Sequence, residues 1–378
     1  QQELALQIGL GVLLIATKGY GAPEVAKAYS RARELCQQGS EAPPQLFSVL
    51  HGLYGFYYTQ AELQTAHELG EQCLSLAQSR QDPALLVEAH LQGGLTLYTL
   101  GEFIAARERY AQGSALYDPQ QHRSLAFLYG QDPGVSHGVF TAYILWQLGY
   151  PEQALKHFHA TCTLAQELSH PFSLALVLNW AAIFHQFRRE EQLTQERAEA
   201  AIILSTEHGF PFCVAWGTIL RGWALTEAGQ GEEGIVQMRQ GLDAYRTTGA
   251  EVWRPHYLAL LSEGYRKVGQ PEKGLSVLAE ALALVNKTGE RYYEAEVYRI
   301  KGELTLQSKV QGPKSKIEEE AEEYFLKAID IAQKQQAKSL ELRAVISLTR
   351  LWQQQGKKDK ARQMLAEIYG WFTEGFDT

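Results

Sequence analysis

The chain has 378 residues, and its 35 basic and 43 acidic side chains give a formal net charge of −8. A hydrophobic content of 45% and a charged content of 21% are typical of a folded, soluble protein, while the acidic balance argues against a general nucleic-acid binder. The longest apolar stretches, such as 8–16, are too short to span a membrane, so we expect neither a nucleic-acid nor a membrane partner.

Small residues recur along the chain where the second helix of a helix pair would lean on the first. They are Val25, Ala66, Ala106, Ala154, Thr194, Gly234, Gly274, Ala321 and Ala361. Five of the eight gaps are 40 residues long, and two are enlarged to 48 and 47. Such a period is typical of a solenoid, in which each unit buries its apolar face against the next. We therefore predict an all-α, right-handed superhelical solenoid of about nine helix pairs (about 18 helices) that occupies residues 1–378 as a single domain.

The third unit, residues 87–119, shows the pattern most clearly. Small residues that allow close helix crossings alternate there with large residues that fill space, in the order Gly94, Leu97, Gly101, Phe103, Ala106, Tyr110 and Gly113. The turn glycine supplies the positive φ that ends the first helix, and Gly149, Gly229, Gly269 and Gly356 repeat it. The pattern resembles the tetratricopeptide repeat, although its period is longer than the usual length of about 34 residues. HEAT repeats share the longer spacing but lack these small residues.

Two connections between helices are longer than the others. Residues 118–135 bridge the third and fourth units and contain an apolar run, 125–129, so we predict an ordered insertion that packs on the solenoid. Residues 307–319 divide the eighth unit and are charged and interrupted by Gly-Pro, which predicts a solvated loop.

The four cysteines indicate the redox environment of the chain, and its two ends indicate whether it belongs to a longer polypeptide. Cys36, Cys73, Cys162 and Cys213 form no C-x-x-C pair, so we expect buried small hydrophobic residues in a reducing, cytoplasmic environment. The sequence opens at Gln1 inside an amphipathic helix and stops shortly after an aromatic one, with no polar capping repeat. We interpret it as part of a longer polypeptide.

Several segments resemble one bacterial family more closely. They are TKGYGAPEV at 17–25, YDPQQHRSLAFLYGQDPG at 117–134, LSHPFSLA at 168–175, HQFRRE at 185–190, WGTILRGWAL at 216–225, KTGERYYEAEVYRIKGELTL at 287–306 and WFTEGFDT at 371–378. Together they resemble the C-terminal tetratricopeptide region of multidomain signalling proteins, in which an adenylate/guanylate cyclase or another output domain precedes a signal-transduction ATPase. The resemblance implies a sensor or scaffold region that regulates these catalytic domains.

No motif in the sequence indicates an enzyme. The chain lacks a phosphate-binding G-x-x-x-x-G-K-[ST] loop, a dinucleotide-binding glycine fingerprint, H-E-x-x-H and G-x-S-x-G. His157 and His159 are two residues apart, which places them on different sides of a helix and is poor geometry for sharing a metal. We therefore predict no catalytic residue, no metal and no cofactor within this chain.

The candidate binding surface follows from the resemblance to tetratricopeptide repeats, in which positions 2, 5, 9 and 12 of each first helix line a concave groove. These positions hold Tyr98, Tyr143, Trp146, Asn179, Gln186, Trp216, Trp223, His256, Glu263, Arg266, Arg299 and Glu303. The middle of the groove is thus aromatic with amides, and its C-terminal stretch is charged. Alternatively, several aromatics, particularly Trp216 and Trp223, fill the core between repeats. His185 and the adjacent Arg188 and Arg189 are expected at the tip of the fifth unit, where they face solvent or pair with loop groups.

Two functions are compatible with this surface. One is a non-catalytic regulatory scaffold whose groove binds a protein or peptide, including the upstream ATPase or cyclase domains of the same polypeptide. The other is a small-molecule sensor, as in the maltose-regulon transcriptional activator, whose sensor repeats resemble these in length and bind an oligosaccharide. An enclosed aromatic cavity would favour the small molecule, and an open charged groove would favour the peptide or protein.

Overall fold

A computed structural model of the chain describes residues 1–38, 43–308 and 313–376. These residues form 20 α-helices and contain no β-strand. Eighteen of the helices make nine consecutive antiparallel pairs, which confirms the predicted all-α repeat architecture. The other two are short and lie in the insertion after the third unit.

The first helices of the nine pairs line the inside of the superhelix. They are α1 (Gln2–Lys18), α3 (Leu46–Thr59), α5 (Pro83–Thr99), α9 (Pro133–Gln147), α11 (Pro171–Phe187), α13 (Pro211–Glu227), α15 (Arg254–Lys267), α17 (Glu294–Gln307) and α19 (Lys338–Gln354). The second helices form the outer layer. They are α2 (Pro23–Gln37), α4 (Leu63–Arg80), α6 (Phe103–Leu116), α10 (Pro151–Leu168), α12 (Glu191–His208), α14 (Gly231–Thr247), α16 (Pro271–Thr288), α18 (Lys314–Lys334) and α20 (Lys358–Tyr369).

The small residues that defined the repeat lie where the two helices of each unit cross. All nine are buried, each in the second helix of its pair. The glycines at these crossings are equally constrained: a Cβ added to Gly94 of α5 would lie 2.8 Å from the ring of Tyr110, and one added to Gly113 of α6 would lie 2.1 Å from the ring of His137. The repeat spacing is therefore set by close packing of backbone against aromatic rings.

The turns between paired helices follow the glycine pattern. Gly101, Gly149, Gly229, Gly269 and Gly356 all have positive φ, between 72° and 91°. These are the left-handed conformations that glycine adopts at little steric cost. In the fifth unit the same turn position is filled by Arg189, which adopts a φ of 62°.

Successive coils of the superhelix touch through their backbones. The carbonyl oxygen of Thr59 accepts hydrogen bonds from the N–H groups of Glu251 (2.8 Å) and Val252 (3.0 Å). One repeat further on, the carbonyl oxygen of Thr99 accepts from Arg291 (2.8 Å) and Tyr292 (3.2 Å), so the contact recurs with the period of the repeat. In both cases the partners are 192 and 193 residues apart. The chain thus completes one coil in about five units, and the next coil closes over it.

The interior of this coil is filled with side chains. The buried apolar residues form one continuous cluster from Leu4 to Leu340, and a second cluster joins α18, α19 and α20. Glu374 then ties the C-terminal segment to the fourth unit, because its carboxylate accepts hydrogen bonds from the backbone N–H groups of Glu152 (3.0 Å) and Gln153 (3.1 Å) at the start of α10. The acceptor lies where a helix N-terminus favours negative charge.

The two long connections have different structures. Residues 118–135 contain the short helices α7 (Pro119–His122) and α8 (Leu125–Tyr129), and the ring of Tyr129 lies 4.5 Å from that of His51 on the solenoid. Within the predicted loop 307–319, residues 309–312 lie outside the described residues, and the chain is helical from Lys314 onward. Pro313 stands just before this helix, a position that suits a residue without a free N–H.

Two further observations concern the cysteines and the hydrophobicity of the helices. Cys36, Cys73 and Cys213 are buried free thiols, and Cys162 is half-buried. No helix among the described residues is long and apolar enough to cross a membrane.

Candidate functional site

The predicted groove residues all point inward, but the coil covers most of them. Arg266 and Glu303 retain exposed fractions of 26% and 19% of their side chains, and the other ten of the twelve predicted groove residues are buried: Tyr98, Tyr143, Trp146, Asn179, Gln186, Trp216, Trp223, His256, Glu263 and Arg299. The reason is the closure of the superhelix, since the face that would be open in a shallow solenoid is covered by the next coil. Their role in binding stays a prediction, and their burial agrees with the alternative that Trp216 and Trp223 fill the core.

One group of these residues belongs to an aromatic cluster inside the coil. The ring of Tyr98 lies 5.2 Å from that of Tyr292 and 6.3 Å from that of Trp253, and Trp216 lies 5.9 Å from Trp253. The Tyr143 hydroxyl donates to the carbonyl oxygen of Trp180 at 2.6 Å. These rings come from opposite coils, so the cluster joins residues distant in sequence.

The polar candidates mostly hold the repeats together. Asn179 Nδ2 donates to the carbonyl oxygens of Ala175 (3.0 Å) and Cys213 (3.2 Å), which links α11 to α13. Gln186 Oε1 lies 3.0 Å from His256 Nε2, which bridges α11 and α15. Burial lowers the pKa of His256 to about 3, so this imidazole is neutral at physiological pH and donates through Nε2.

A cavity of about 100 Å³ lies beside the aromatic cluster. It is lined mainly by aromatic side chains, among them Tyr20, Tyr54, Trp180, Trp216, Trp253 and Tyr257. The hydroxyl of Tyr20 and the indole Nε1 of Trp216 are buried there without a hydrogen-bond partner among the described residues. Buried polar groups usually have a partner, so these two atoms mark a place where a small polar molecule can be held.

Trp253 lies at the centre of this region. It was not among the predicted groove residues, because it does not occupy one of the four groove positions of a first helix. It precedes α15 and has a φ of 68°, a left-handed conformation that is strained for a large side chain. The backbone N–H of Trp253 donates to a carboxyl oxygen of Glu290 at 2.9 Å, and its indole Nε1 donates to the hydroxyl oxygen of Tyr58 at 2.9 Å. Burial raises the pKa of Glu290 to about 8. The sequence signal was the 40-residue register that aligns 251–253 with 291–293, the segments that contact the preceding coil.

The C-terminal half of the interior holds a cluster of buried charges. Arg189 donates to both carboxylate oxygens of Glu263, at 2.9 and 2.6 Å. Arg299 bonds the same Glu263 at 3.1 Å and Glu296 at 2.7 Å, and it also pairs with Glu303. Two further arginines complete the charge cluster: Arg343 contacts Glu296 at 2.5 Å, and Arg266 contacts Glu303 at 3.4 Å. Four arginines thus face three glutamates, one positive charge in excess.

The excess positive charge shows in the direction of the pKa shifts. Burial disfavours the charged form of Glu263, but Arg189 and Arg299 outweigh it and hold its pKa well below the usual range. For Arg343 the balance is reversed, because burial and the neighbouring charge of Arg189 lower its pKa. The cluster is therefore suited to gaining a further negative charge from a ligand.

Arg189 reaches this cluster from an unexpected position. It occupies the turn that is glycine in the third, fourth, sixth and seventh units, and its side chain extends across the interior to the seventh unit instead of facing solvent. A left-handed residue other than glycine costs about 1–2 kcal/mol. Alignment of residue 189 with Gly149 and Gly229 at the 40-residue period is the signal that could have identified it. His185 and Arg188 pair with Glu190, as expected for groups at the tip of the unit.

Within the described residues, the interior offers groups that could bind a ligand. No set of three or more His, Cys, Asp or Glu side chains that could hold a metal ion occurs in the described parts of the chain. Aromatic faces, donors without a hydrogen-bond partner among the described residues, and an excess of guanidinium groups are instead the chemistry of ligand recognition.

Comparison with known sequences gives one weak relative. No family model matches the chain. An uncharacterized protein of Rhizobium meliloti (strain 1021) is 22% identical over 304 residues, which cover 80% of this chain and 29% of that protein. The chain therefore spans less than a third of the length of this relative.

Comparison with solved structures gives full-length likenesses. The Rap protein complexed with competence and sporulation factor superposes with a TM-score of 0.65 at 9% identity over 98% of both chains. The Rap conjugation gene regulator of plasmid pLS20, in complex with the Phr* peptide, has a TM-score of 0.56 at 9% identity and covers 97% of this chain and 94% of its own. Aspartyl phosphate phosphatase F from Bacillus subtilis has a TM-score of 0.50 at 12% identity, with 97% and 93% covered. At such identities the likeness concerns the fold, and the chain has the fold of tetratricopeptide-like helical repeat proteins.

Proposed function

We propose that this chain is a non-catalytic regulatory scaffold that binds a peptide or a segment of a partner protein inside its superhelix. The observation that carries the proposal is the match over almost the whole chain to a Rap regulator solved with its Phr* peptide. This likeness in fold supports a peptide-binding role, although the two sequences are only 9% identical.

The charge cluster is the part of the interior that a peptide can reach. The side chains of Arg189 and Arg266 are 31% and 26% exposed, whereas the aromatic cluster is closed. An acidic peptide would supply the negative charge that the four arginines lack, and guanidinium groups recognise carboxylates with defined geometry. The peptide would thus bind towards the C-terminal half of the coil.

We further propose that the chain acts as part of a longer signalling protein of the cytoplasm. The segments that resemble the cyclase–ATPase family extend along the chain, and the Rhizobium relative is more than three times as long as the matched part. In this arrangement, peptide or partner binding would control an ATPase or cyclase domain outside these 378 residues.

A second candidate function is the sensing of a small molecule in the aromatic cavity. Its aromatic lining and the unpartnered donors of Tyr20 and Trp216 have the chemistry of a sugar site, with rings to stack on and donors for hydroxyl groups, but the cavity of about 100 Å³ must enlarge to admit a sugar ring. Trp216→Phe keeps the ring and removes the indole N–H, so it should reduce sugar binding without affecting a peptide.

Peptide selection tests the main proposal. Acidic peptides should be enriched when a displayed random library is selected on the purified protein, and fluorescence anisotropy then gives their affinities. Arg266→Ala should weaken binding by about 1–3 kcal/mol, the range for interface anchors. Arg362→Ala, at an exposed position of α20, is the matched control. Equal affinities for the two variants would place the peptide elsewhere, and binding of glucose or maltose in a thermal-shift panel, lost in Trp216→Phe, would favour the sensor.

A further inference from the structure

A pocket of about 370 Å³ opens between the tips of the fourth and fifth units and the C-terminal segment. Its walls combine aromatic and cationic groups, and they include Trp146, Phe187, Arg188, Arg343, Phe372 and Glu374. Trp146 and Phe187 stack with ring centroids 5.1 Å apart, which makes one wall rigid. This size is within the range of pockets that bind small ligands or single side chains.

Arg188, which lines this pocket, has a donor without a hydrogen-bond partner among the described residues. Its side chain is only 8% exposed, and Nε and Nη2 both contact Glu190 Oε1 at 2.9 Å. The other oxygen of Glu190 is taken by His185 Nδ1 at 2.6 Å. Arg188 Nη1 is buried without a hydrogen-bond partner among the described residues. A buried guanidinium N–H in this state normally belongs to a site for an acceptor.

Arg343, which also lines the pocket, has a second donor without a partner among the described residues. Its Nη2 contacts Glu296, but that carboxylate is shared with Arg299 and Arg189. Its Nη1 is also buried without a partner in the described parts of the chain. Glu374, the carboxylate that lines the pocket, is engaged by the backbone N–H groups at the start of α10 and by Gln153 Nε2.

We infer that this pocket binds a carboxylate that neighbours an apolar side chain in the bound peptide, with the anion between Arg188 and Arg343 and the apolar group against Trp146 and Phe372. The inference rests on the proposed function only in taking the ligand to be a peptide. Arginine donors in a partly desolvated site recognise carboxylates strongly. The carboxylate belongs either to the C-terminus of the peptide or to an acidic side chain, and the two sources are separated by the probes below.

The test uses small probes and does not require the natural peptide. N-acetyl-phenylalanine carries a terminal carboxylate beside a ring, N-acetyl-aspartyl-phenylalaninamide carries a side-chain carboxylate, and N-acetyl-phenylalaninamide carries none. We expect saturation-transfer NMR titrations to show at least one acid binding about tenfold more tightly than the amide. Whichever acid binds better identifies the source of the carboxylate. Equal binding of amide and acids would overturn the inference, and so would displacement by inorganic phosphate at the same concentration as the acids.

Variants connect the binding to the two arginines. Arg343→Gln and Arg188→Gln should each weaken the acids about tenfold and leave the amide unchanged. Arg350→Gln removes the same charge from an exposed position two turns along α19 and should have no effect. Arg343→Gln should also melt no lower than the parent, because it removes the charge in excess. If Arg343→Gln does not fold, the affinity of Arg188→Gln for the acids decides whether the arginines form the site. Wild-type affinity in both folded variants would refute the site.

These measurements separate the pocket from the proposed function. Arginine-dependent binding of the acids together with failure of the library selection would contradict the peptide-binding proposal and leave the pocket standing. Selected peptides that bind Arg343→Gln as tightly as the parent protein would contradict the pocket and leave the peptide-binding proposal standing.

Discussion

Replacement of Glu290 by glutamine should change how stability depends on pH. The carboxyl group is 2% exposed, one oxygen accepts the Trp253 N–H, and the other oxygen has no partner among the described residues. Burial raises its pKa from 4.5 to about 8, which the Trp253 N–H and the charge of Arg254 offset only in part. The folded protein therefore holds this proton at neutral pH, whereas the unfolded chain releases it.

The sign and size of the effect follow from proton linkage. Below pH 4.5 the carboxyl group is protonated in both states, and its contribution to stability is fully present. Between pH 4.5 and 8 the unfolded chain ionises first, so stability is lost as the pH rises, and the loss is complete above pH 8. At about 1.4 kcal/mol per pKa unit, the loss is on the order of 5 kcal/mol. Glutamine can still accept the Trp253 N–H and cannot ionise, so Glu290→Gln should escape this loss.

Urea unfolding at pH 5 and pH 8.5, followed by circular dichroism, measures the effect. The free energy of unfolding of Glu290→Gln, relative to the parent protein, should be several kcal/mol more favourable at pH 8.5 than at pH 5. Any cost of burying the amide NH₂ group is the same at both values and cancels in this difference. Glu319→Gln, at an exposed position, is the control and should show no such change. If the Glu290→Gln difference is the same at both pH values, Glu290 is ionised in the folded protein and our reasoning about its burial is wrong.

Three other changes test separate features. Trp146→Ala should lower the free energy of unfolding by about 3–5 kcal/mol because its ring is 6% exposed, whereas Arg266→Ala should cost less than about 1 kcal/mol; equal thermal melts would contradict this. Limited proteolysis should spare Leu125–Tyr129 in the native protein, and early cleavage there would show a flexible linker. Glu374→Gln should cost about 1 kcal/mol and speed hydrogen exchange of the first amides of α10; unchanged exchange would mean that the carboxylate does not cap them.

The repeat architecture could be predicted because its determinants are local. Ala106 and Gly113 sit at helix crossings, and Gly101 and Gly149 sit in turns that need positive φ, so each leaves a mark at a fixed spacing. The closure of the coil left no such mark. Its recurring contacts join backbone groups, as in the bond from Glu251 N–H to Thr59 oxygen, and any residue but proline can supply them.

The environment of the candidate residues could not be predicted from the sequence, and their role in binding stays a prediction. The positions that line the groove of a tetratricopeptide repeat include Tyr98 and Trp216, but this assignment assumes an open groove, so it could not predict that the next coil buries both residues. It also considers only helical positions, and it therefore missed Trp253, which precedes a helix, and Arg189, which occupies a turn. Both residues that were missed have a positive φ, which is unusual for residues other than glycine. A comparison of each unit with its neighbours would have found Arg189, because it stands where other units have glycine.

The contacts between coils also affect how the chain is made. In an open solenoid each repeat depends only on its neighbours, so a growing chain can fold unit by unit. Here the carbonyl oxygen of Thr59 can accept its hydrogen bond only after Glu251 has been synthesised. At a synthesis rate of about 5–20 residues per second, this takes roughly 10–40 s. During this time the aromatic face of the first coil is exposed to solvent and to other nascent chains. Ribosome-bound chains halted before residue 251 should therefore bind the dye ANS more strongly than chains that carry the whole sequence, and equal binding would mean that the early coil covers itself in another way.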